Sequence, residues 1–172
     1  MIDTFLSYIV HQKAYSAHTQ AAYESDLYAW EAFLKEEFDL GLQEAKQEHL
    51  RSWMMNLKRE NNFSASSIAR KLASLRSFYK YTRLKKGWMS DPTHGIRAPK
   101  KEKKLPAVVK EEEIQQLLES DIFPEGWEGK RDRLMLEVFY QTGIRRAELI
   151  DLSWKDVRFA DKVLRVFGKR SK

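Results

Sequence analysis

Arg145 and Glu148 are the pair in this sequence best suited to phosphate chemistry. They lie in the stretch QTGIRRAELIDLSW, where Gly143 follows an apolar run at helical spacing and predicts the end of a helix. A new short helix would then begin at Arg145 and bring Glu148 onto the same face one turn later. An arginine braced by a carboxylate presents fixed N–H donors that suit a phosphate. The same two residues could equally form an ordinary surface ion pair, so the pair alone leaves both interpretations open.

The elements that would position this pair begin with an N-terminal helical region. Apolar stripes at three- and four-residue spacing predict four helices, with Ser16 and Ser64 as N-caps of the second and fourth. The aromatic residues of these stripes, such as Trp30, are predicted to form a core rather than a base-stacking platform. We therefore expect a four-helix domain over residues 1–90 in a mainly α chain.

The fourth predicted helix, SASSIARKLASLRSFYKYTRLKK, carries a basic and hydroxyl-rich face beside its buried stripe. A helix that lies in or across a DNA groove needs this arrangement, since short hydroxyl donors and long cations both reach phosphates. An amphipathic helix with a merely solvated basic surface fits the pattern equally well. The candidate DNA-binding residues are Ser66, Ser67, Arg70, Lys71, Arg76 and Lys80.

Positive charge is concentrated in the middle of the chain. Residues 61–105 contain twelve Lys and Arg against two carboxylates, a balance of +10, whereas the net charge of the chain is +6. The remaining residues therefore sum to −4. A basic region between acidic flanks is typical of a surface that meets a nucleic-acid backbone, although a solvated face that aids solubility is the alternative.

Helical periodicity stops between Gly87 and Pro106, and proline and lysine become frequent. We predict an extended, mobile basic linker over residues 91–106 that joins two domains. Its lysines would either clamp a polyanion or keep the linker solvated. Those assigned to DNA binding are Lys100, Lys101 and Lys103.

Residues 107–172 are predicted to form part of a second, α+β domain. A short helix with an acidic first turn is followed by the helix that ends at Gly143. Alternation in DVRFADKVLRVF then predicts a β-hairpin that turns at Ala160–Asp161. Gly168 would begin a further turn four residues before the last residue, so we expect this domain to be incomplete.

Composition excludes several classes of site. The chain has no cysteine, which excludes disulfides and thiolate metal sites, and we assign no metal ligand. No apolar run approaches the length of a membrane span, and the N-terminus lacks the features of a secretory leader. We expect a cytoplasmic protein with no membrane partner.

Several of these segments together resemble one family. TGIRRAELIDLSWKDV is similar to the T-G-x-R-x-x-E-L motif of the tyrosine recombinases, the phage-integrase and Xer-type group, and GKRSK falls where that family has a lysine in a hairpin turn. DPTHGIRAPKKEKKLPAVV resembles its interdomain linker. SSIARKLASLRSFYKY and YSAHTQAAYESDLYAWEAFL resemble helices of its core-binding domain. The resemblance covers the chain in order.

The resemblance implies a fold and a mechanism. It implies an N-terminal four-helix SAM-like core-binding domain, followed by the start of a catalytic domain that cleaves and rejoins duplex DNA through a 3′-phosphotyrosine. Arg145 would hold phosphate oxygens, Glu148 would orient Arg145, and Lys169 would be the general acid for the 5′-oxygen. Neither a metal nor a small-molecule cofactor is implied, and the full protein would act as a tetramer on two DNA sites.

The family also needs a later H-x-x-R motif, a further His or Trp, and the nucleophilic tyrosine, none of which can be assigned within these 172 residues. We therefore expect the chain to bind DNA without cleaving it alone. The first alternative is a DNA-binding module without catalysis. The second is a helical adaptor whose basic stretch meets an acidic protein, which would leave the Arg145–Lys169 spacing unexplained.

Overall fold

The computed structural model describes residues 1–59, 62–100 and 108–166. The chain divides into two compact units, Met1–Lys104 and Leu105–Lys172. Within the described ranges, unit 1 holds four α-helices, and unit 2 holds three α-helices, a 3-10 turn and one antiparallel strand pair. The predicted mainly α class with a late β-hairpin is confirmed. The elements are α1 (Ile2–His11), α2 (Ala17–Phe38), α3 (Gln47–Arg59), α4 (Ala65–Lys86), α5 (Glu111–Glu119), α6 (Trp127–Thr142), α7 (Arg146–Ile150), β1 (Val157–Arg158) and β2 (Val163–Leu164).

Side-chain caps fix where the two long helices of unit 1 begin. The Ser16 hydroxyl accepts a hydrogen bond from the Thr19 backbone N–H at 3.3 Å, and Ser64 accepts from that of Ser67 at 3.1 Å. Each cap satisfies one of the N–H groups that a helix N-terminus leaves without an intrahelical partner. Both predicted N-caps are confirmed, so the register of α2 and α4 is fixed from their first turns.

The core of unit 1 is rich in aromatic rings. Phe5 of α1 meets Phe78 of α4 edge to face, with ring centroids 5.5 Å apart, and Trp30 of α2 lies 5.2 Å from Trp53 of α3. All four helices therefore contribute to a single cluster. Rings of this size bury a large apolar area, and each well-oriented ring pair stabilises the fold by about 0.5–1.5 kcal/mol beyond that burial. The prediction that these aromatics are core is confirmed.

A hydrogen-bond chain crosses this core. The Trp30 indole N–H donates to the Tyr79 hydroxyl at 3.0 Å, and that hydroxyl donates to the backbone oxygen of Leu42 at 2.9 Å. Burial raises the pKa of Tyr79 well above its usual range, which keeps the hydroxyl protonated and able to donate. One phenol thus satisfies polar groups from α2 and from the loop after it.

The first part of the predicted linker is docked on unit 1 and is not extended. Trp88 packs edge to face on Phe78 at 5.9 Å between centroids, and Ile96 is buried. The Ser90 hydroxyl donates to the backbone oxygen of Ala45 at 2.6 Å. The expectation of an extended segment is therefore wrong for residues 91–96, and residues 88–90 before them also have partners on the bundle. We call residues 88–96 the docked segment.

Unit 2 is organised by local contacts. The hairpin pairs Val157 with Leu164 and Arg158 with Val163. In the described part of unit 2, Ile144 is the one buried hydrophobic residue, whereas Trp154 is 79% exposed. An open apolar groove of about 380 Å³ is lined mainly by side chains of α6, α7 and the hairpin. The large core of the described chain therefore lies in unit 1.

A membrane-spanning helix is not found among the described residues, where no helix has both the length and the apolar character that a bilayer crossing requires.

Replacing Tyr79 with phenylalanine should lower the free energy of unfolding by about 1–3 kcal/mol, because the buried Trp30 N–H and Leu42 carbonyl each lose a partner. Urea denaturation followed by tryptophan fluorescence measures this loss. Tyr28→Phe is the matched control, since the Tyr28 hydroxyl donates to Asp3 on the surface. Equal stability of the two variants would contradict the importance of the buried chain.

Candidate nucleic-acid interface and arginine site

Helix α4 combines a buried stripe with an exposed stripe that is rich in cations. Lys and Arg occupy seven of its 22 positions, and the helix contains no Asp or Glu. Because the spacing of the exposed residues is three to four, they share one face of the helix. Any polyanion that approached this face would meet no carboxylate of α4 itself. The exposed residues along the face are Ser66, Arg70, Ala73, Arg76, Lys80 and Arg83; we call them the α4 stripe.

Arg70 lies on the α4 stripe and is tied to α2. Its side chain is 47% exposed, yet Nη1 and Nη2 donate to the two oxygens of Asp26 at 2.5 and 3.0 Å. A guanidinium has five N–H donors, and two are used here, so up to three remain for a second acidic group. Arg70 is therefore both anchored and accessible.

Lys71 does not lie on the exposed face that the sequence predicts for it. The residue is 6% exposed, and its ammonium donates to Asp26 Oδ1 at 3.0 Å. The same ammonium lies 5.0 Å from the ring centroid of Phe63 and 5.9 Å from that of Trp53. The prediction that Lys71 is exposed is therefore wrong, because a buried carboxylate and two aromatic rings surround its ammonium in place of water. A direct phosphate contact by Lys71 would require this cluster to open.

Arg76 and the two serines also have intramolecular partners. Arg76 Nη2 donates to the backbone oxygen of Ile96 and so holds the docked segment against α4. The Ser66 and Ser67 hydroxyls lie 2.8 and 3.0 Å from that of Ser64 at the helix N-terminus. These contacts are at the surface, where a phosphate could compete for the same donors.

Lys80 and Lys100 are exposed, as expected for residues that meet a backbone. Lys101, Lys103 and Lys169 lie outside the described residues, so their assignments stay predictions. The role of Lys169 as general acid therefore also stays a prediction.

The arginine site is formed by the turn between α6 and α7. Gly143 ends α6 in the left-handed conformation, with φ of 62°, which glycine adopts without a steric penalty. The chain then extends through Ile144 to Arg145, which is the N-cap residue of α7. Both predicted features, the C-terminal glycine and the new short helix, are confirmed.

Glu148 accepts two hydrogen bonds from Arg145 in this turn. One carboxylate oxygen accepts from the backbone N–H of Arg145 at 3.0 Å, and the other accepts from its Nη1 at 2.7 Å. The Glu148 side chain is 11% exposed, whereas that of Arg145 is 78% exposed. The backbone N–H of Arg145, followed by its guanidinium, holds the pKa of Glu148 below its ordinary value. The arginine is therefore braced from one side and open to solvent on the other.

The residue that the sequence analysis missed is Asp26. It is 0% exposed and accepts hydrogen bonds from Arg70, Lys71 and Ser74, which are more than forty positions away. A signal was present, because Asp26 stands between Tyr23 and Trp30 in the apolar stripe of α2. An acid at a core position requires a buried partner.

A metal site has no candidate in the described ranges, where no three His, Asp or Glu side chains cluster suitably for an ion.

Two family models match the chain. Residues 2–86 match the model described as phage integrase, N-terminal SAM-like domain, and residues 107–172 match the phage integrase family model. The first range contains α1 to α4, and the second contains Arg145 and Glu148.

Curated relatives align along nearly the whole chain. The chain is 32% identical to tyrosine recombinase XerC of Herpetosiphon aurantiacus, over 99% of the chain and 56% of that protein. It is 36% identical to tyrosine recombinase XerC of Xanthomonas axonopodis pv. citri, over 99% of the chain and 58% of the relative. It is 35% identical to tyrosine recombinase XerD of Staphylococcus haemolyticus, over 100% and 58%. The chain therefore spans less than three fifths of the length of these relatives.

The Glu148 carboxyl should titrate at lower pH in the folded chain than in the urea-unfolded chain, as measured by carbon-13 NMR of its side-chain carboxyl. Because the folded pKa is the lower one, the stabilisation is present above the unfolded pKa and is lost as the pH falls through the folded pKa. In Arg145→Ala the guanidinium is removed but the backbone N–H remains, so the folded midpoint should rise part of the way. If Glu148 titrated at the same or a higher pH in the folded chain than in the unfolded chain, its stabilisation by Arg145 would be refuted.

Proposed function

The chain belongs to the phage integrase family, and we propose that it supplies the DNA-binding domain and the first part of the catalytic domain of a site-specific tyrosine recombinase. The α4 stripe is the observation that carries the proposal, because it presents four cations and the Ser66 hydroxyl without a carboxylate of its own helix. The curated relatives are named tyrosine recombinases. Since they are longer, the catalytic activity is proposed for the whole protein.

Duplex DNA is the proposed substrate and partner. Lysine and arginine contacts to phosphates release counterions, which supplies most of the sequence-independent affinity. The Ser66 hydroxyl near the start of α4 and the guanidinium of Arg70 offer donors of different reach along one face. We propose that the whole protein acts in the cytoplasm as a tetramer on two DNA sites, as the family resemblance implies.

The proposed reaction is transesterification at a DNA phosphorus. A tyrosine hydroxyl loses its proton as its oxygen bonds to phosphorus, the bond from phosphorus to the 5′-oxygen breaks, and the 5′-oxygen takes up a proton. Arg145 would bind the non-bridging oxygens as negative charge develops on them, and its open, braced geometry supports that role. Glu148 would orient Arg145, and Lys169 would donate the proton.

A DNA-binding module without catalysis is the second candidate. It is favoured by one observation, which is that the α4 stripe lies wholly within unit 1 and uses no residue of unit 2. A helical adaptor for an acidic protein would use the same cations, but it gives no role to the braced Arg145. Salt-dependent binding to duplex DNA separates the adaptor from the two DNA-binding candidates.

The double variant Arg70→Ala, Lys80→Ala should bind an arbitrary DNA duplex about tenfold more weakly at low salt, because two phosphate contacts are lost. Fluorescence anisotropy across a range of salt concentrations should also give a slope of log affinity against log salt that is shallower by about 2. Lys71 is left intact in this design because its ammonium is buried.

Lys35→Ala is the control for that experiment. Lys35 is an exposed lysine on α2 that pairs with Asp39, and it borders a groove also lined by Glu31 and Glu44. Its removal should change DNA affinity little, since neighbouring carboxylates repel a phosphate backbone. An equal loss in the control and in the double variant would refute the α4 stripe as the interface.

The purified 172-residue chain should form no covalent adduct with a nicked duplex that traps cleavage. No tyrosine is assigned as nucleophile in it, and Tyr140 belongs to a helix rather than to a loop beside Arg145. Denaturing electrophoresis of labelled DNA measures adduct formation, and a longer homologous recombinase serves as the positive control. A DNA-linked band that disappears in Tyr140→Phe would contradict the expectation and identify the nucleophile.

A further inference from the structure

The clearest unassigned feature of unit 1 is the buried carboxylate of Asp26. Each of its oxygens accepts two hydrogen bonds. Oδ1 accepts from Arg70 Nη2 and Lys71 Nζ at 3.0 Å each, and Oδ2 accepts from Arg70 Nη1 at 2.5 Å and the Ser74 hydroxyl at 2.9 Å. A carboxylate has about four acceptor positions, and these contacts occupy them, with the one Ser74 proton shared between Asp26 and the backbone oxygen of Lys71 at 2.7 Å. All the donors belong to α4.

The charges in this cluster are not balanced. Asp26 carries one negative charge, and Arg70 and Lys71 carry one positive charge each. The side chains of Asp26 and Lys71 are 0% and 7% exposed, whereas that of Arg70 is 47% exposed. Lys71 therefore neutralises Asp26 inside the bundle, and the excess positive charge appears at the surface on Arg70. The internal pair fixes Arg70 without cancelling its charge.

Fixing a guanidinium matters for phosphate binding. A free arginine side chain loses rotamer entropy when it binds, and one held by two hydrogen bonds has already lost much of it. The planar fork that Asp26 holds also directs the remaining N–H groups as a unit, which a lysine ammonium cannot reproduce.

We propose that Asp26 is a positioning residue for DNA binding, which pre-orients Arg70 of the α4 stripe toward a DNA phosphate while Lys71 supplies the compensating internal charge. This inference rests on the proposed DNA-binding function, and it adds a residue that never touches DNA. On this proposal, DNA binding by Arg70 depends on the orientation of its guanidinium as well as on its positive charge.

Arg70→Lys is the direct test, because it keeps the positive charge at position 70 and removes the fork. Fluorescence anisotropy at low salt should show about fivefold weaker binding to a duplex of arbitrary sequence. Arg133→Lys is the matched control, since Arg133 also pairs with a carboxylate, that of Glu137, but lies on α6. The control should bind as the parent chain does. Wild-type affinity in Arg70→Lys would overturn the proposal.

Asp26→Asn is a second test, for which the proposal and the alternative predict opposite changes in DNA affinity. It makes the chain more positive by one charge, so a carboxylate that merely weakened the local field would, on removal, give tighter DNA binding. A positioning carboxylate should instead give weaker binding despite the added charge. Tighter or unchanged binding by a folded Asp26→Asn chain would overturn the proposal.

Thermal unfolding of every variant establishes that it is folded at the temperature of the titrations. Losing the carboxylate leaves Lys71 buried without its counter-charge, which is strongly destabilising. If Asp26→Asn does not fold, Arg70→Lys decides. Absence of salt-dependent binding by the parent chain would instead refute the proposed function itself, and the two failures are thereby distinguishable.

Discussion

The contact between the Asp26 carboxylate and α4 is the constraint on which the rest of unit 1 depends. A carboxylate with no solvent exposure is tolerated only when charges and hydrogen bonds compensate it, and α4 supplies all of them. This contact fixes the rotation of α4 about its axis. One face is then committed to the aromatic core, and the opposite face must present Arg70 and the other members of the α4 stripe to solvent.

The two arginines that matter most are held in contrasting ways. Arg70 is braced across 44 positions by a buried residue of another helix, whereas Arg145 is braced three positions away by Glu148 within one turn. A long-range brace makes Arg70 depend on the folded bundle, while the local brace needs little beyond the Gly143 turn and the first turn of α7. This difference fits the proposal that unit 1 binds DNA and that Arg145 of unit 2 acts in catalysis.

Features that depend on local spacing were predictable from the sequence. Ser16, Ser64 and Gly143 mark helix ends because capping involves neighbours a few residues apart, and the hairpin follows from alternation around one turn. The burial of Lys71 was not predictable in this way, since it depends on Asp26 and on the rings of Trp53 and Phe63. The docked segment was also missed, because low periodicity indicates the absence of a helix and carries no information on packing. Glu148 could be paired with Arg145 from spacing alone, whereas the linkage of Arg70 to Asp26 required the fold.

The most direct measurement of the central claim is site-directed crosslinking from the α4 stripe. The chain contains no cysteine, so Ala73→Cys introduces one thiol midway along the stripe, and Glu36→Cys introduces one on an acidic, exposed part of α2. Each can carry a photoactivatable aryl azide and be irradiated with labelled duplex DNA at low salt. The account predicts a crosslink from position 73 that salt suppresses, and little from position 36. Equal crosslinking from both positions, or a stronger crosslink from position 36, would contradict it.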